Sequence, residues 1–86
     1  MFLEWDEHKR QSNIKKHGVD FQLVTLFDFD SAQEYSYIRN NEQRIIAYGL
    51  IGNQLFVLVY TERNDNLRVI SLRKANSKEV KNHVQG

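Results

Sequence analysis

Cysteine and proline are both absent from this chain, glycine occurs only four times and tryptophan once. Without cysteine there is neither a disulfide framework nor a thiolate metal site, which excludes a disulfide-stapled secreted scaffold and a cysteine-based zinc finger and fits a reducing compartment. No stretch approaches the ~20 consecutive apolar residues of a membrane span. The opening Met1-Phe2-Leu3-Glu4-Trp5-Asp6 turns acidic before any apolar run develops, so neither export nor membrane attachment is expected and a cytoplasmic location is. An excess of either charge is lacking too: 12 Lys and Arg face 11 Asp and Glu, a net +1 that does not by itself argue for nucleic acid. Low-complexity tracts, repeats and proline-rich linkers are missing, and 86 residues suffice for one small core, so residues 1–86 are read as a single domain.

Charge is distributed unevenly along the chain. Lys9, Arg10, Lys15 and Lys16 cluster early, Arg63, Arg68, Arg73, Lys74, Lys78 and Lys81 dominate the last quarter, and Asp20, Asp28, Asp30 and Glu34 make the middle acidic. If the ends meet in the fold, a basic patch forms.

Phe2 to Trp5 reads as a short strand. Asp6 is a natural N-cap for a mostly polar helix that runs to about His17, with Ile14 as its main apolar anchor and Gly18 just past its end. Lys15, Lys16 and His17 then occupy the last turn, where the helix dipole favours cations. A second helix capped by Asp20 is expected from Phe21, Leu23, Val24, Leu26 and Phe27. Strand patterns follow at Tyr35 to Arg39, Arg44 to Ile51, Gln54 to Thr61 and Leu67 to Arg73, with turn signals at Gly52-Asn53 and Asn64-Asp65-Asn66. Asn76 with Glu79 three residues on forms an asparagine version of the capping box, opening a short C-terminal helix that includes Val80 and Val84. The expected fold is α+β: a small antiparallel sheet of three to four strands, two N-terminal helices and a short C-terminal one, with the helices on one side of the sheet.

Strand alternation sets Thr61 and Arg63 on one side of their strand, and Ser71 and Arg73 on the side of theirs opposite Arg68, so Arg63, Ser71 and Arg73 are expected close together. A guanidinium gives bidentate, permanently charged donors that match a phosphodiester and the charge developing on a pentacoordinate phosphate. The commoner use of such residues is as strand-end arginines reaching water or pairing with Glu62 and Asp65. His17, in Lys15-Lys16-His17-Gly18, has a side chain that titrates near neutrality and suits removal of a ribose 2′-OH proton or protonation of a leaving 5′-oxygen. Nearby lysines would lower its pKa and favour the base, although a histidine at a helix C-terminus more often complements the dipole. Glu62 is a possible base but is more readily a salt-bridge partner. Tyr48 and Tyr60 read as core, whereas Tyr35 and Tyr37 stay open between core and base stacking. Three scattered histidines with no i, i+4 pair make a poor metal site, so no metal or other cofactor is expected.

Taken together, these residues resemble the BrnT toxin family. The resemblance runs in register through Phe2-Leu3-Glu4-Trp5-Asp6-Glu7 with Lys9 and Asn13, Lys16-His17-Gly18-Val19-Asp20-Phe21 and Phe27-Asp28-Phe29-Asp30. It continues through Glu42-Gln43-Arg44, Gly49, Val59-Tyr60-Thr61-Glu62-Arg63, Arg68 to Ala75, and Glu79. It implies a fold similar to the RelE-type ribonuclease toxins, metal-independent RNA cleavage and growth arrest. It also implies neutralisation by a ribbon-helix-helix antitoxin of the BrnA kind, with operator DNA bound only through that complex. Position by position, it implies His17, Arg63, Ser71 and Arg73 as catalytic and Lys9, Lys16, Arg44 and Arg68 as RNA contacts. Ser31 stands where the family often has proline, Leu72 where it often has a small residue, and the closing aromatic is missing at Gly86, which implies a shortened last helix. The competing readings are a catalytically inactive partner-binding module of the same fold acting in transcriptional autoregulation, and a DNA-binding regulator in its own right. The latter lacks a recognition helix and a charge excess.

Overall fold

The computed structural model describes residues 2–85. Met1 and Gly86 lie outside the described residues. The elements in chain order are β1 (Leu3–Trp5), α1 (Glu7–His17), a 3-10 helix (Phe21–Leu26), β2 (Gln33–Arg39), β3 (Glu42–Ile51), β4 (Gln54–Arg63), β5 (Asn66–Lys74) and α2 (Ser77–Gln85).

The α+β class stands, but the sheet is larger than the expected three or four antiparallel strands. It has five, in the order β1-β5-β4-β3-β2. β1 lies parallel to β5, Leu3 opposite Leu67 and Trp5 opposite Val69, which makes the sheet mixed. Local pattern shows a strand but not its partner, and this pairing joins residues more than sixty positions apart. The four later strands form the antiparallel meander. Its first hairpin turns at Asn40 and Asn41, both left-handed (φ 52° and 61°), and its last at Asn64 and Asp65 (φ 52° and 64°), the backbone that short two-residue hairpins require.

The second expected helix is a single 3-10 segment instead. Phe21, Val24 and Phe27 are almost fully buried, and their spacing of three is the period of a 3-10 helix, in which i and i+3 eclipse. Leu26 points away from this buried row and is 63% exposed. Asp20 caps this segment by accepting from the Gln22 N–H at 3.0 Å, and the Phe27 N–H donates to the Val24 carbonyl at 3.1 Å.

α1 has the expected ends: the Asp6 carboxylate accepts from the His8 and Lys9 amides, and Gly18 at φ 70° donates to the Ile14 carbonyl. Its buried residue, however, is Asn13 and not Ile14. The Asn13 side-chain amide donates to the carbonyls of Val19 (2.9 Å) and Leu72 (2.7 Å), while its oxygen accepts from the Leu72 N–H (3.2 Å). It pairs with β5 as a neighbouring strand would. Arg10 adds a second tie to the start of the 3-10 helix by a two-pronged bond to Asp20 at 3.0 and 2.9 Å.

One face of the sheet, bearing Ala47, Phe56, Leu58, Tyr60, Leu67, Val69 and Leu72, packs on Phe21, Val24 and Phe27 to form the core. Leu67, Val69 and Leu72 share that face because β5 bulges: Tyr60 faces Val69 but Val59 faces Ser71, leaving Ile70 unmatched. α2 lies on the opposite face, over Arg73 and Tyr48, so the helices are not on one side as expected. Tyr60 is a core residue, its hydroxyl donating to Glu34 at 3.3 Å, and burial followed by Glu34 pushes its pKa up to about 12. Tyr48 is half-buried beneath α2 and outside the core cluster.

Two stability changes are expected. Asn13→Ala strands three buried backbone groups and should cost about 2–3 kcal/mol, lowering the thermal midpoint by ~10–20 °C by circular dichroism. At Gly49 an added Cβ would sit 2.5 Å from the Phe27 ring, so Gly49→Ala should cost about 1–3 kcal/mol by the same assay.

Candidate functional site

The face opposite the core carries most of the residues singled out above. Along β4 the side chains of Val57, Val59, Thr61 and Arg63 share it, and β5 sets Arg73 opposite Val57, Ser71 opposite Val59 and Arg68 opposite Thr61. The bulge thus returns Arg68 to the side of Ser71 and Arg73, where simple alternation had separated them. On the outer strands the same face shows Arg44 opposite Tyr37, Ile46 opposite Tyr35 and Tyr48 opposite Gln33.

The residues divide between two ends of this face. At one end, His17, Lys9, Lys16 and Ser71 line an open cavity of about 250 Å³ with Ser12, Asn13 and Ile70. Arg73 is near enough to act on His17: burial, Lys16 and Arg73, in that order, hold the imidazole below its usual pKa of 6.5. Burial outweighs the lysine effect expected from sequence. Arg63 lies at the other end, six residues along β4 from the position facing Arg73, which is about 20 Å of extended chain. It does not join Ser71 and Arg73 in one cluster.

Each of Arg44, Arg63, Arg68 and Arg73, the four arginines expected in the site, already has a carboxylate partner. Arg73 donates two bonds to Glu79 at 2.8 and 2.9 Å. Arg63 donates to Glu42 at 2.7 and 3.0 Å, Arg44 reaches the same carboxylate at 3.4 Å, and Arg68 lies 3.6 Å from Glu4. The partners are therefore Glu42, Glu79 and Glu4, not Glu62 and Asp65, because Glu62 alternates away from this face. Arg73 and then backbone bonding hold Glu79 below the usual carboxylate range, and Arg63 does the same for Glu42. Lys9 and Lys16 are exposed and form no ion pair among the described residues.

Glu79 has a double role. The capping box is present, with the Asn76 N–H donating to Glu79 at 2.9 Å and the Glu79 N–H to Asn76 at 2.8 Å. The same carboxylate orients the Arg73 guanidinium. The capping pattern revealed the first role; the second depends on where α2 lands. Asn13 and Glu42 were likewise not singled out, since their partners are distant in sequence. Among the described residues no group of three or more His, Cys, Asp or Glu is arranged to hold a metal, and no helix is long and apolar enough to cross a membrane.

A small α+β chain with a histidine, a serine, an arginine and two lysines at one end of an arginine-lined sheet face has the groups for chemistry on a phosphodiester. Comparison with known proteins agrees. Residues 5–79 match the family model described as the ribonuclease toxin, BrnT, of type II toxin–antitoxin systems. The chain belongs to this family. Among solved structures, it resembles the Brucella abortus ribonuclease toxin BrnT, with 33% identity, a TM-score of 0.73, and coverage of 90% of this chain and 99% of that one. Comparison with curated proteins finds no match.

The depressed pKa of His17 gives a direct check. In an NMR titration its ring should protonate below pH 6.5, and Arg73→Gln or Lys16→Gln should move the midpoint upward, since each removes a positive charge that opposes protonation. An unmoved midpoint in both variants would separate His17 from this cluster.

Proposed function

We propose that this chain is an endoribonuclease toxin that cleaves RNA without a metal, using the end of the sheet face where His17, Ser71 and Arg73 meet. The observation that carries this reading is the grouping of those three residues with Lys9 and Lys16 in a member of a ribonuclease toxin family. His17, kept neutral near pH 7, takes the proton from a ribose 2′-hydroxyl as that oxygen attacks the adjacent phosphorus. Arg73 neutralises the charge that grows on the phosphoryl oxygens, and Ser71 donates to one of them. Collapse leaves a 2′,3′-cyclic phosphate and a 5′-hydroxyl end, whose proton the imidazolium returns. Lys9 and Lys16 hold phosphates beside the cleaved bond. Arg68, Arg44 and Arg63 form a track along the strands, exchanging carboxylates for phosphates, and Arg63 acts in binding more than in the chemical step.

Free toxin in the cytoplasm degrades RNA and arrests growth. Its antitoxin, of the ribbon-helix-helix type found in BrnA, neutralises it by covering this basic face, and operator DNA is contacted through the antitoxin complex alone. A second reading is favoured by one observation: all four arginines are engaged by carboxylates. On that reading the chain is an inactive partner-binding module whose role is autoregulation of its operon.

Induction of the chain alone in a bacterial host, with growth and RNA integrity followed, separates the two. The wild type should stop growth and fragment RNA. His17→Ala or Arg73→Ala, folded by circular dichroism, should lose cleavage by about 10²-fold or more, whereas Arg63→Ala should mainly weaken binding and leave single-turnover cleavage at saturating RNA close to wild type. No arrest and no cleavage by the wild type would favour the inactive module.

A further inference from the structure

A larger cavity, about 340 Å³, opens on the same sheet face between α2 and the outer strands, lined by Gln33, Tyr35, Tyr48, Glu79, Asn82 and His83. None of its residues takes part in the chemistry proposed above; Glu79, which bonds Arg73, joins the two sites. We infer that this cavity receives one unpaired nucleobase of the bound RNA and sets which nucleotide lies next to the cleaved bond; the inference rests on the ribonuclease reading of the adjoining face.

The lining suits a base better than a phosphate. Its walls include two tyrosine rings, Tyr35 and Tyr48, in edge contact at 6.0 Å and 76°, which offer a flat aromatic surface for stacking. Gln33 and Asn82 each provide both a donor and an acceptor, the combination that reads the hydrogen-bonding edge of a base. The Glu79 carboxylate repels a phosphate but accepts from base N–H groups. His83 lines the same cavity, and its Nδ1 is buried with no hydrogen-bond partner among the described residues. The volume is at the small end of the range for ligand pockets, matching a single heterocycle and not a stacked dinucleotide.

Position links this cavity to the reaction. Tyr48 stands opposite Val57, and Val57 opposite Arg73, so two strand spacings, about 10 Å, separate Tyr48 from the arginine assigned to the phosphate. Glu79 bridges the gap, bonding Arg73 while it forms part of the cavity wall. A nucleotide can therefore place its phosphate on Arg73 and its own or the neighbouring base under α2.

The test is an NMR titration of the whole chain with the four nucleoside 3′-monophosphates, beside ribose 5-phosphate and inorganic phosphate. Saturable shifts at Tyr48, Asn82 and His83 are expected with base-bearing ligands and not with the two base-free ones. An Asn82→Ala, His83→Ala double variant, folded by circular dichroism, should bind at least five-fold more weakly. Mapping of RNA ends should show its nucleotide preference relaxed relative to wild type. Base-free ligands reproducing the shifts, or a folded double variant with unchanged affinity and preference, would overturn the inference. If nucleotides bind as expected while the wild type cleaves no RNA, the ribonuclease reading fails and the base site stands. If RNA is cleaved with no shift at these three residues, the reverse holds.

Discussion

The side-chain amide of Asn13 is the contact on which the placement of the site depends. β1 covers the outer edge of β5 only from Leu67 to Val69, and beyond it Leu72 would present an N–H and a carbonyl with no strand to meet them. Asn13 meets both and reaches the Val19 carbonyl as well. A buried, unpaired backbone group costs more than a made hydrogen bond returns, so the preference for this seat is strong. Because Asn13 sits one turn before His17, seating it also sets the imidazole beside Ser71. A polar helix with little apolar surface is thus held by hydrogen bonding more than by burial.

The β-bulge at Ile70 performs the complementary task within the sheet. One extra residue lets Leu67, Val69 and Leu72 all enter the core, and at the same time gathers Arg68, Ser71 and Arg73 on the opposite face. Core packing and the assembly of the basic face are therefore the same event seen from the two sides of β5. A strictly alternating β5 would have buried either an arginine or a gap.

Carboxylates organise the arginines that this produces. Glu79 holds Arg73 in a two-pronged bond and caps α2, while Glu42 spans Arg44 and Arg63. Such half-exposed pairs contribute little to stability, but they keep the guanidinium groups aimed across the sheet face. The same pairs explain why a chain with a net charge of only +1 can carry a face rich in cations.

Much of this was readable from local chemistry. Asp6 and Gly18 bound α1, Asn76 and Glu79 mark the start of α2, and alternation identifies the strands, since caps, turns and period-two patterns depend on residues only a few positions apart. The second helix was misjudged because apolar residues at Phe21, Val24 and Phe27 satisfy an α-helical search loosely and a 3-10 helix better. Of the residues the motifs single out, His17, Ser71 and Arg73 lie at one end of the face, whereas Arg63, expected beside them, stands some 20 Å away. Sequence by itself determined the α+β class, the ends of α1, the start of α2 and the family, because these rest on short-range propensity and on motifs in order. Tertiary structure alone decided the β1–β5 pairing, the bulge, the acids that partner the arginines and the cavity under α2. Each of those joins residues whose proximity exists only after the chain has closed on itself.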